Sequence, residues 1–127
     1  MGARLRTDYG TINLSKNIYY DIIRSAVEAT HGRARFGNAG LFLSFLINDE
    51  SNCMKLKFDE DNVTIDVYII VRFGSSISRI ADGILEHING ECITNFGKKP
   101  ALTTIYVTGV ESIRGTIRRT IEFKREG

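Results

Sequence analysis

Cysteine and histidine are scarce in this chain, two of each among 127 residues. Cys53, Cys92, His31 and His87 stand far apart and show no zinc-type spacing, so a metal centre has no ligand set to start from. The opening residues hold no apolar signal core, and the two cysteines therefore read as free thiols of a reducing cytosol. No apolar run approaches the roughly 18 residues that a spanning helix needs, which argues against direct membrane insertion. Gly2 is followed by Arg6 where a myristoylation signal has Ser or Thr. Charge of one sign is missing as well. Seventeen basic against 15 acidic residues leave a net +2, too balanced to imply nucleic acid or an anionic membrane. A nucleophile elbow, a phosphate loop, internal repeats and low-complexity tracts are all absent, so nothing implies an enzyme, a cofactor or a repeat architecture.

What is present is pattern. Hydrophobic content of 43% and charged content of 25% are ordinary for a globular protein. The length fits one α+β domain, with a core over residues 9–110 and a basic tail or edge strand over 111–127. After a loose leader, Tyr9 to Leu14 alternates weakly and reads as a short strand. Ser15 then stands as a helix N-cap, with Leu14 and Tyr19 at the spacing of a hydrophobic staple. Ile18, Tyr19, Ile22, Ile23, Ala26 and Val27 recur by threes and fours, and Gly32 supplies a left-handed end. His31, in the last turn, reads as a capping residue. Residues 32–40 form a glycine-rich loop with Arg33 and Arg35. Such a loop can hold phosphate or RNA, but it lacks the Lys-Ser/Thr ending of a P-loop and a preceding strand, so two solvated cations are the plainer reading. Leu41–Ile47 is the most apolar run and too short to separate strand from helical turn. It is core or, in part, a partner surface carried by Leu41, Phe42 and Phe45.

Met54, Leu56 and Phe58 alternate with lysines, and Val63, Ile65, Val67, Ile69, Val71 and Phe73 continue one face of a second strand. With a tight turn at Glu60-Asp61, Phe58 faces Val63, Leu56 faces Ile65 and Lys55 faces Asp66. Apolar meets apolar and cation meets anion in one register. Ser76 can cap a second helix, whose stripe runs Ile77, Ile80, Ala81, Ile84, Leu85, Ile88 and Cys92 and ends at Phe96-Gly97. Asp82, Glu86 and His87 fall on its wet side. Lys98-Lys99-Pro100 turns the chain into a strand over Leu102–Val110. In the tail, Ile117, Ile121 and Phe123 among arginines suggest a basic edge strand. The expected fold is two-layered α+β: a mixed or antiparallel sheet with two helices on one face, in the order β-α-β-β-α-β, plus a C-terminal edge strand.

Three blocks carry a family resemblance. Gly10-Thr-Ile12-Asn-Leu14-Ser15 leads to Ile18, Ile22, Ala26-Val27-Glu28 and Gly32. Val63-Thr-Ile65-Asp66-Val67 continues to Val71-Arg-Phe73-Gly74, with Ile77 just after. Ile105-Tyr-Val107-Thr-Gly109-Val110 follows the second helix. In this order they resemble the alkaline shock protein family of Gram-positive bacteria, also described as envelope stress response proteins. The resemblance implies a small cytoplasmic protein without enzymatic activity or cofactor. Such a protein self-associates into a homo-oligomer and is recruited to the inner face of the membrane by a separate anchoring protein. Leu41, Phe42 and Phe45, with the tail residues Arg114, Arg118 and Arg119, are then the candidate partner contacts. The alternative is a small RNA-binding module using Arg33, Arg35, Lys98, Lys99 and the tail arginines, with Tyr68 and Tyr106 as the obvious stacking residues.

Overall fold

The computed structural model describes residues 8–37, 50–112 and 115–126. Its first element overturns an expectation: Tyr9–Leu14 is not a strand, because helix α1 runs unbroken from Asp8 to Glu28. Ser15 therefore lies inside the helix and is not its N-cap, and Leu14 and Tyr19 do not frame a staple. Once the face from Ile18 to Val27 is docked, each residue added N-terminally gains a backbone bond for one residue's conformational entropy. Six weakly alternating residues have no neighbouring strand, among the described residues, to compete with that. Beyond Glu28 the chain reverses through His31 (φ 55°) and Gly32 (φ 85°), both left-handed. Gly32 thus does the job expected of it, whereas His31 sits past the helix and not in its last turn.

The presumed glycine-rich loop contains a short strand, β1 (Ala34–Phe36). Thr30 Oγ1 accepts the Ala34 N–H (3.1 Å) and Arg33 O accepts that of Arg72 (2.8 Å), which holds this segment along the sheet. Leu41, Phe42 and Phe45 lie outside the described residues. A 3-10 turn, Glu50–Cys53, leads into β2 (Met54–Asp59) and β3 (Asn62–Arg72). Their antiparallel register sets Phe58 opposite Val63, Leu56 opposite Ile65 and Lys55 opposite Asp66, as the alternation required. Glu60, at the turn, takes φ 54°. Helix α2 (Ile77–Phe96) follows, then β4 (Leu102–Ser112) and β5 (Gly115–Glu126).

The sheet is mixed and its two helices share one face. β3 runs parallel to β4, joined through α2, and β4 pairs antiparallel with β5. On its other side β3 carries β2 along residues 62–67 and β1 along 69–71, end to end. Among the described elements the order is therefore α-β-β-β-α-β-β, with β1 after the first helix where a strand before it was expected.

The core lies between sheet and helices. Val63, Ile65, Val67, Ile69 and Val71 with Ile105 and Val107 meet Ile22, Ile23, Ala26 and Val27 of α1 and Ile80, Ile84, Leu85, Ile88 and Cys92 of α2. Each buried large aliphatic side chain contributes about 1.5–3 kcal/mol, so these stripes set the fold. Tyr19 stacks on Phe96 (4.4 Å) and meets Phe58 edge-on (5.8 Å), closing one end of the layer. Phe73 does not continue the stripe: it lies past the strand end and is 68% exposed. Ser76 occupies the N-cap position of α2 without a side-chain cap bond, and Gly97 (φ 79°) closes the helix with its N–H donating to Ile93 O.

Candidate functional site

No group of three or more His, Cys, Asp or Glu side chains converges among the described residues. The nearest approach to a nucleophile and base is Ser25 Oγ, 2.9 Å from His87 Nε2. Ser25 Oγ also donates to Ile22 O (3.1 Å), inside the helix, so its proton goes to the backbone. The pair ties α1 to α2, and His87 is half-buried, not on the wet side. Burial pushes the Cys92 thiol up to about 12, which leaves it protonated and a poor nucleophile.

The sheet face away from the helices is polar and aromatic. Tyr68 and Tyr106 are opposite one another across β3 and β4 and stack at 4.6 Å. Lys55 Nζ sits 5.2 Å from the Tyr68 ring centroid, a cation–π contact. Asp66 is raised above the usual carboxylate range by desolvation, which outweighs the pull of Lys55 and Lys124. Lys124 pairs in turn with Glu122 (3.4 Å). Cations and anions thus interleave over this face, and the aromatic rings are engaged by each other and by Lys55.

The basic residues suggested for RNA fall at two ends of the molecule. Arg35 grips Glu111, Nε donating to Oε1 (3.1 Å) and Nη2 to Oε2 (2.8 Å), and this bond holds the Glu111 carboxyl below its usual value. Arg33 is exposed beside it, lining with Arg79, Thr30 and Ile80 a cleft of about 190 Å³ between the helices. Lys98 instead donates to Asp61 O at the β2–β3 turn, with Lys99 exposed next to it. Arg35 lies opposite Ile70 and Lys98 reaches Asp61, so at about 3.3 Å per residue the run of β3 separates the two groups by roughly 30 Å. They do not form one continuous basic surface.

At the remaining edge lies β5. It is the outermost strand beside β4, and nothing among the described residues pairs with its far side. The backbone at Arg118 and Arg119 belongs to it, whereas Arg114 lies outside the described residues. Ile117 is 62% exposed, and Arg125 reaches Asp82 on α2 (3.4 Å). Sequence reasoning missed three features elsewhere on the molecule: Arg79 in the cleft between the helices, the Glu111 clamp on Arg35, and the stacking of Tyr68 on Tyr106. The signal for Arg79 was its position in the first turn after Ser76. The other two depend on the parallel register of β3 and β4, which no local pattern encodes.

A sequence profile for the alkaline shock protein 23 family, described as having a cell envelope-related function, matches residues 4–112. The chain belongs to the alkaline shock protein family. This bears out the resemblance, and its three blocks now fall on α1 with its terminal turn, on β3 with the turn into α2, and on β4. The uncharacterised protein YloU of Bacillus subtilis (strain 168) is 25% identical over 115 residues, covering 87% of this chain and 96% of YloU. No solved structure matches. In this alkaline shock family chain, β5 begins beyond the matched residues. No helix among the described residues is long and apolar enough to cross a membrane.

Proposed function

We propose that this protein is a non-enzymatic interaction protein of cell-envelope homeostasis under stress. It self-associates in the cytoplasm and is held at the inner face of the membrane by a separate anchoring protein. The observation that carries this reading is the long β5 edge, left without a partner among the described residues. An edge of that kind is a ready template for a second chain. Membership in a cell envelope-related family supports the setting. Leu41, Phe42 and Phe45, with Arg114, Arg118 and Arg119, are the proposed contact residues.

Light scattering over a concentration series tests the self-association. The wild-type chain is expected to be oligomeric, and Phe42→Asp or Phe45→Asp is expected to lower the mass with helicity unchanged by circular dichroism. A wild-type monomer at high concentration would sink the proposal. Recruitment is tested by isolating the tagged protein from membrane and cytosolic fractions of its own cells. A membrane-spanning partner is expected only in the membrane fraction, and its absence there removes that half of the reading.

A further inference from the structure

We propose that the cleft between α1 and α2 binds a phosphate monoester group, held between Arg33 and Arg79. The site does not depend on the self-association proposed above. Arg33 enters the cleft from the turn between α1 and β1, and Arg79 from the first turn of α2, which carries no acidic residue. The rest of the lining is neutral, so two cations meet there with no carboxylate beside them. Neither arginine has an ion pair or a side-chain hydrogen bond among the described residues. Others do: Arg24 pairs with Asp21, Arg35 with Glu111 and Arg125 with Asp82, and Arg72 donates to Gly32 O. The Thr30 hydroxyl is engaged as well, donating to Val27 O (2.6 Å) and accepting the Ala34 N–H (3.1 Å). The donors left to a ligand are the two guanidinium groups.

Like charges facing one cleft repel, and an anion between them turns that repulsion into attraction. Ala26 and Ile80, buried at its floor, keep the local dielectric below that of bulk water and strengthen the attraction. A guanidinium is a planar fork of N–H donors that fits the oxygens of a carboxylate or a phosphate. Charge decides between these. A carboxylate or a phosphodiester carries one negative charge, whereas a monoester approaches two at pH 7 and offers three terminal oxygens, enough for two forks. Size sets how much of the ligand enters. At about 190 Å³ the cleft is smaller than the roughly 300–1,000 Å³ of sites that enclose a whole small molecule, so the phosphate enters and the remainder stays outside. Gly83 keeps that space open: alanine suits a helix interior better, and an added Cβ would meet nothing within 4 Å.

Calorimetric titration of the full chain with inorganic phosphate, at ionic strength held constant with sodium chloride, tests the site. Saturable binding is expected, and Arg33→Gln and Arg79→Gln should each raise the dissociation constant about tenfold. Lys99→Gln removes the same charge at the other end of the molecule and should leave it unchanged. Gly83→Leu should abolish binding by filling the cleft, with no fall in the thermal midpoint. Dimethyl phosphate, a monoanionic diester, should bind about tenfold more weakly than inorganic phosphate. Vesicles of phosphatidylcholine with and without phosphatidic acid distinguish the sources. Sedimentation that needs phosphatidic acid and is lost in Arg79→Gln makes the group a lipid headgroup, whereas phosphate binding without sedimentation makes it a soluble ester; both support the site. Failure of both phosphate and phosphatidic acid to bind overturns it. So does binding that survives Arg33→Gln and Arg79→Gln, an equal loss in Lys99→Gln, or equal affinity for dimethyl phosphate.

Discussion

Thr103 is fully buried on the helix side of β4, opposite Ile65, and its hydroxyl has no hydrogen-bond partner. A buried polar atom left unpaired costs about 1–3 kcal/mol. Thr103→Val keeps the branched shape and removes that atom, so stability in urea denaturation is expected to rise by about 1 kcal/mol. Asp66 and Glu111 act oppositely on the pH dependence. Glu111 is lowered by Arg35, so its contribution is present above the usual carboxylate value and is lost as pH falls through its lowered folded value. Asp66 is raised by desolvation, so the folded state holds that proton more tightly than the unfolded one. Its effect is to weaken folding as pH rises past the usual carboxylate value, with the full loss above its folded value. Asp66→Asn is therefore expected to stabilise the protein at neutral pH, the gain shrinking at acid pH. Denaturation midpoints from pH 3 to 7 measure this, and a gain that grows toward acid would contradict it.

Among the elements, the β2–β3 hairpin was legible in full, because two alternating runs and a tight turn admit one register in which both faces agree. The stripe and ends of α2 were legible for a similar reason: seven apolar positions at helical spacing lie between Ser76 and Gly97. Where patterns were short, the reading failed. Tyr9–Leu14 is too brief for its alternation to outweigh the helix continuing behind it, and Ala34–Phe36 becomes a strand only because β3 lies alongside. Of the candidate contacts, the strand at 118 and 119 was read correctly as an edge, but the separation of Arg33 and Arg35 from Lys98 and Lys99 was hidden. Sequence proximity says nothing of which end of the sheet a loop reaches. Gly97 supplies an element-scale prediction. An added Cβ would meet nothing within 4 Å, so Gly97→Ala costs only the left-handed backbone at φ 79°. A loss of about 1–2 kcal/mol is expected in thermal or urea melts, and no loss would mean that the helix end relaxes to another turn.

At the scale of the whole molecule, stability is unevenly distributed. β3 is flanked on both sides and lies under both helices, whereas β5 is held on one side by β4 and by the contact from Arg125 to Asp82. Native-state hydrogen exchange on dilute, monomeric protein is expected to leave the β3 and β4 amides slowest. The outward amides of β5 should exchange orders of magnitude faster and become protected as concentration rises. Protection of β5 that is independent of concentration would mean that its outer edge is covered within one chain.

The position of β3 also dictates an order of assembly. Its hairpin with β2 needs only a two-residue turn and can close within about 1–10 μs. Its parallel pairing with β4 must wait until α2 has formed across the intervening chain, a non-local closure that slows folding. Substitutions that weaken the β2–β3 hairpin, such as Leu56→Ala, should therefore slow folding, whereas truncations in β5 should mainly speed unfolding. During synthesis, β1 leaves the ribosome before the strand it pairs with exists, and β5 follows the other described strands. The edge through which copies would join is thus completed only after the rest of the sheet is committed, which protects nascent chains from pairing with each other before they have folded.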